Sequence, residues 1–307
     1  MITRLLRHPT FALLIMAALA SPFASAQVAV EIVGDTAHAT ILLADGQGGT
    51  YDAEVTIAFD APLNLTASSL NLTAELFNPA DPVMRSRLPA GLSFTDAFPM
   101  IVTVEPPTLD WIFTTAFDGA EDGSGALSFR NDYQLEIHTH NLAWSPAGPL
   151  RLLKAPVGGS FADVTEDVLE GSARARGRGG AFSQFVIGVD ANNSGLPLIL
   201  AVIVPKTSAL TLRLVSAVLD DLLRGQLVGL LADVLTAVTS AIVNPVLGCT
   251  NALVPLDQFM ASVQQNADAG NIANLWRAQH DVVNDAGELE SLAQTLRFSL
   301  LRCTGAP

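Results

Sequence analysis

The segment Leu135-Glu-Ile-His-Thr-His140 carries the sharpest group of reactive side chains in the sequence. On an extended strand Glu136, His138 and His140 project from one face, while Leu135 and Ile137 occupy the other. Two imidazoles two residues apart, with a carboxylate beside them, supply three ligands for zinc or another divalent metal. Such a site keeps one coordination position open for chemistry. Alternation alone predicts the same face as a wetted polar surface backing a core, and no partner nucleophile stands out for proton transfer.

Arg174, Arg176 and Arg178 repeat the every-other-residue arrangement with guanidinium groups. They could clamp an anion, a carboxylate or phosphate, bidentately. Equally, they could lie across from acidic side chains of a neighbouring strand. Asp118, Asp122 and Gly123 fit part of a twelve-residue calcium loop, as do Asp190, Asn192, Ser194 and Gly195. Both loops lack the closing carboxylate, and Asx turns explain them without an ion. Gly158-Gly-Ser-Phe-Ala162 lacks the last glycine of a nucleophile elbow, and no His-Glu-x-x-His occurs. The enzyme alternative therefore rests on a Glu136/His138/His140 metal site alone.

The elements that would position these groups change rhythm along the chain. Residues 27–206 alternate with period two, as in Asp52-Ala-Glu-Val-Thr-Ile-Ala-Phe59, with runs also at Ala39–Ala44, Ser69–Phe77, Met100–Glu105, Trp111–Phe117, Ala126–Arg130, Tyr133–Leu142, Leu150–Lys154, Gly171–Arg178, Phe182–Asp190 and Leu196–Val204. Gly/Asp turns separate them, which predicts an antiparallel β-sandwich. The pattern resembles exported immunoglobulin-like modules in general, a likeness of fold that carries no function.

After Pro205, apolar residues recur at spacings of three and four. Leu227 through Ile242 form one helical stripe, which Asn244-Pro245 ends. Pro255 is expected to open the next helix, Ile272, Leu275 and Trp276 to start another, and Leu289 to Leu300 to line the last. Ala209–Leu223 reads as a further helix, although Thr211–Leu214 would also extend a strand. Residues 207–307 are thus expected to form a helical bundle, giving a segregated α+β chain. Leu227–Leu247 is long and apolar, but Asp233 at its centre favours a bundle helix over a membrane span.

Composition sets the setting. The 307 residues hold 16 Lys+Arg against 30 Asp+Glu, a net charge of −14. That balance excludes a general nucleic-acid binder, whose affinity needs concentrated positive charge. Residues 1–26 read as a signal peptide: Arg4 and Arg7, a short apolar run from Phe11, then Ala24-Ser25-Ala26 before Gln27. The mature protein would be periplasmic or secreted, and the Ala/Arg/Leu-rich usage with two lysines suggests a bacterial source. In an oxidising compartment Cys249 and Cys303, the only cysteines, are expected to pair. The leading expectation is a non-catalytic binding or structural protein whose partner is a protein, glycan or envelope component. The alternatives are the metal-dependent enzyme and an apolar-ligand carrier built on the helices.

Overall fold

A computed structural model describes residues 27–107, 126–145, 149–169, 171, 173–192, 194–278 and 283–305. The expected signal peptide, the Trp111–Phe117 strand and the core of the loop at 118–123 lie outside these residues.

The chain is mixed α+β, with two antiparallel sheets followed by helices. The first sheet runs β1 (Gln27–Val33), β2 (Thr36–Ala44), β3 (Thr50–Leu63), β7 (Ser128–His138), β11 (Arg174–Gly179), β10 (Thr165–Val168), and β13 (Leu275–Arg277) pairs with β7. The second runs β4 (Leu72–Leu76), β6 (Met100–Val104), β12 (Gln184–Asp190), β8 (Leu150–Ala155), β9 (Ala162–Asp163), with β5 (Leu92–Phe94) on β12. Alternation decides which side chains each sheet buries. Val55, Ile57 and Phe59 of β3 and Leu135 and Ile137 of β7 join Val102, Leu152, Phe185 and Ile187 of the second sheet in one buried cluster. Tyr133, Phe129 and Phe182 add aromatic packing, with the Tyr133 and Phe182 rings stacked 4.7 Å apart.

Two short helices, α1 (Ala67–Leu70) and α2 (Pro82–Ser86), interrupt the strands. The first replaces the start of the expected Ser69–Phe77 strand. Thr66 caps it by accepting from the Ser69 N–H, and the strand begins only at Leu72. The expected pair Ala126–Arg130 and Tyr133–Leu142 is the single strand β7. Asn131, in the left-handed region at φ 53°, lies where the register against β3 shifts.

Helical structure starts earlier than Pro205. The run Leu196–Val204, expected as a strand, is helical: α3 (Gly195–Leu198), a π-helical stretch Ile199–Ile203, then α4 (Val204–Ser216). Its β-branched residues look strand-like, yet Leu198, Ile199, Ile203, Leu210 and Leu214 are buried at helical spacing. Pro205 lies inside this continuous helical run, directly after the π-helical stretch, where the usual i→i−4 ladder is already displaced. α5 (Asp221–Ala241) begins at Asp220, whose carboxylate accepts from the N–H groups of Leu222 and Leu223. Asn244 then caps α6 (Pro245–Asp268), so Pro255 lies within that helix rather than opening it. Leu275 and Trp276, expected in a helix, form β13, because Trp276 stacks on Phe129 at 5.1 Å. α7 (Asp285–Cys303) closes the chain.

The helices share a second cluster, drawn from Leu227, Leu231, Val234 and Val238 of α5, Leu256 and Phe259 of α6, and Leu289 and Leu296 of α7. Gly195–Ser216 and Asp221–Ala241 are long and apolar enough to cross a membrane by length and composition, and each contributes to this cluster. Cys249 and Cys303 form a disulfide between α6 and α7, with S–S 2.05 Å and Cα–Cα 6.1 Å. Closing a loop with a sequence separation of 54 is worth about 4 kcal/mol in chain-entropy terms. Reductant, or paired Cys249→Ser and Cys303→Ser substitutions, should therefore lower the thermal midpoint clearly. Superimposable melts would mean that packing alone holds α7.

Candidate functional site

The outer face of the first sheet collects every residue singled out by alternation. Register places Glu54, His138 and Arg174 in one cross-strand row and Thr56, Glu136 and Arg176 in the next. His138 donates through Nδ1 to Glu54 Oε2 at 3.1 Å, and His140, just past the strand, to Asp52 Oδ2 at 2.7 Å. The two rings are 4.7 Å apart, centroid to centroid. Glu136 turns the other way. Its Oε2 accepts from Nε and Nη2 of Arg176 at 3.2 and 2.7 Å, and its Oε1 lies 3.6 Å from Arg174. Arg178 donates to Glu166 at 2.7 Å and to Asp132 at 3.1 Å. The carboxylate of the sequence-predicted triad is thus committed to arginines, and the histidines to other acids. Among the described residues no three His, Cys, Asp or Glu side chains gather closely enough to hold a metal ion.

This face ends under α7. Asn284 caps that helix by accepting from the Gly287 N–H, and its amide donates to the carbonyls of Asn131 and Gly180. Gly287 is required there because a Cβ would fall on the Asn131 carbonyl. The docking buries carboxyl groups. Burial pushes Asp132 up to about 6, against the pull of Arg178, and its Oδ2 is buried with no hydrogen-bond donor. Burial likewise pushes Glu290 of α7 up to about 7; Asp132, Asp268 and Asp60 raise it further and Arg178 opposes them.

A second constellation was invisible to motif reading. Between the second sheet and the helices, Arg151 of β8 is almost completely buried, beside Asp163 of β9 and Asp190 at the end of β12. The chain's two lysines are Lys154 and Lys206, and Lys206 of α4 enters this cluster. Its ammonium lies 2.6 Å from Asp163 Oδ2 and donates to Thr295 Oγ1 at 2.7 Å, the Thr295 carbonyl at 3.1 Å and Ser299 Oγ at 3.0 Å. Burial alone would raise Asp163, but Lys206 and Arg151 hold its carboxyl below the ordinary carboxylate value. The loop at Asp190, which partly fits a calcium pattern, closes without an ion: Oδ1 accepts from the Asn192 N–H at 2.7 Å, and Oδ2 lies 3.2 Å from Arg151.

Beside this network lies a cavity of about 180 Å³. Leu92 and Phe161 from the sheet side, and Val202, Pro205, Ala209 and Leu292 from the helical side, form its apolar wall. Asp163, Asp190, Lys206 and Thr295 reach the same wall. A largely apolar hollow with a few convergent polar groups at the meeting of two layers is the usual form of a small-molecule site. The sequence carries one weak pointer to it. Lys206 falls on the buried face of a helix, a position lysine takes only when paired.

The raised carboxyls give a pH signature with a definite sign. A group whose folded value lies above its unfolded one stabilises fully below the unfolded value, and that contribution is lost as pH rises through the folded value. Asp132 and Glu290 therefore make the protein more stable at pH 5 than at pH 8. Thermal melts across that range should fall toward alkaline pH, and Glu290→Gln should remove about half of the fall. A variant whose profile matches the parent would show that Glu290 ionises freely.

No curated protein and no solved structure matches the chain. A family described as a family of unknown function (DUF6689) matches residues 13–304, and the chain belongs to that family.

Proposed function

We propose that this is an exported, non-catalytic binding protein that holds a small apolar ligand in the cavity between its sheets and its helices. The observation that carries the reading is that cavity, with apolar walls and a charge network already paired at its edge. In this reading the two sheets are a β-sandwich, supported by the side chains they bury together, and α4 to α7 are a helical bundle stapled by its disulfide. The ligand site belongs to the junction, so neither half alone is the carrier. A metal-dependent enzyme is the weaker reading, because Glu136 faces Arg174 and Arg176 rather than the histidines.

The sheet's outer face and the helices' exposed apolar residues, among them Leu222, Val243 and Leu247, are the surfaces on which a protein, glycan or envelope component would be met. Export by a cleaved signal peptide requires the protein recovered from the envelope to begin at Gln27. N-terminal sequencing that instead starts at Met1 would overturn that part. The cavity itself is tested with p-xylene followed by ligand-observed NMR. Saturable binding is expected in the parent and not in Ala209→Phe, which fills the space from an exposed helix position and should melt normally. Equal responses from both proteins would sink the cavity as a ligand site.

A further inference from the structure

We propose that β1 is an open sheet edge at which two copies of this chain pair, each lending Val28, Val30 and Ile32 to an antiparallel ladder centred on Val30. β1 ends the first sheet and is paired with β2 on one side only. Among the described residues no hydrogen bond reaches its outer edge, and its other neighbours, α1 and β4, make none with it.

The hairpin turn decides which groups that edge presents. Gly34 and Asp35 are the whole loop, with Gly34 at φ 59°, so Val33 and Thr36 are the closing pair and exchange both of their bonds. The register against β2 runs without a shift, so Gln27, Ala29 and Glu31 bond inward as well. The N–H and C=O groups of Val28, Val30 and Ile32 therefore point away from β2. At 7 residues β1 is longer than β4, β9 and β10, which end the other edges. It carries none of the usual guards of such an edge: no lysine, no proline and no bulge.

The edge is complementary to itself. With a two-fold axis at Val30, that residue faces its own copy, Val28 faces Ile32 of the other chain, and Ala29 faces Glu31. All three open residues of both strands then bond, and no shifted register within β1 achieves this. The side chains of Val28, Val30 and Ile32 pack on the sandwich core yet stay partly exposed, and β-branched pairs across the junction cover them. Charge favours the same register. In a chain of net charge −14, Glu31 is the one charged residue of β1, and here it meets Ala29 rather than its own copy. An axis at Glu31 would set two carboxylates directly opposite each other.

The test is sedimentation equilibrium on the purified protein. A contact of strand size lies at the weak end of interfaces, so the mass should rise toward twice that of one chain by ~200 µM. Ala29 is exposed, so substitutions there spare the fold, which thermal melts check. Ala29→Glu sets a carboxylate opposite Glu31 of the other copy at both ends of the ladder and should weaken association ~10-fold. Adding Glu31→Lys to that variant makes the opposed charges unlike and should restore association to the parental range. Ala29→Lys alone should tighten it ~5-fold, and decides by itself if Ala29→Glu does not melt cooperatively. A parent that stays monomeric throughout would overturn the proposal and leave the edge to a strand of another protein. A dimer indifferent to both Ala29 variants would overturn it too, because the copies would be meeting elsewhere. A double variant as weak as Ala29→Glu would overturn the register.

Discussion

The arrangement of the molecule turns on one buried ionic junction. Arg151 and Asp190 come from the central strands of the second sheet, Asp163 from its edge, and Lys206 from the first turn of the long helix that follows. Ions taken out of water lose several kcal/mol each, and they recover it only through close opposite charges and complete hydrogen bonding. Lys206 achieves this with Asp163, Thr295 and Ser299, which involves three separate elements. Such a cluster adds little net stability over an apolar equivalent. It punishes misplacement, however, since shifting any one element strands a charge. The junction thereby fixes where α4 and α7 sit on the sheet.

The cavity is a consequence of that constraint. Three separate apolar clusters, one between the sheets, one within the helices and one on the other face of the second sheet, each satisfy their own packing. The cavity lies where the last two meet, beside the Asp163–Lys206 pair, and side chains as small as Ala209 and Pro205 line its helical side. Apolar packing alone would close a gap of this kind, because unfilled volume forfeits dispersion contacts. Here a gap remains beside buried ion pairs, which apolar packing cannot replace without stranding a charge.

Much of the architecture was legible from side-chain rhythm, and the failures have physical causes. Strands β2 and β3 follow alternation closely, since each buries one face, whereas β6, β8 and β12 are buried on nearly every residue and were legible as short apolar runs. Leu196–Val204 misled because β-branched residues in an apolar run suit a fully buried strand and a buried helix equally. Trp276 escaped because its pairing with β7 is set by stacking on Phe129, a contact 147 residues away in sequence that no local period encodes. The site was less legible still. His138, His140 and Glu136 advertise themselves by spacing, yet spacing fixes only a shared face. Which neighbours claim each group depends on strand order, and β11 brought arginines to Glu136 while β3 brought acids to the histidines.

That contrast separates two kinds of polar cluster within one acidic chain. On the outer face of the first sheet, charges are arranged in rows at cross-strand spacing, and away from the α7 contact the more exposed pairs, such as Asp52–His140, are screened by water and worth little. They keep the sheet's outer face polar and its register defined. At the junction the same residue types are withdrawn from water and tied to elements distant in sequence, so every unmet atom carries weight. Asp190 Oδ2 is such an atom: charged, enclosed, balanced by Arg151 yet without a hydrogen bond. Local turn chemistry explains only its partner oxygen, held by Asn192. Asp163 and Lys206, which tie the second sheet to α4, also border the cavity together with Asp190.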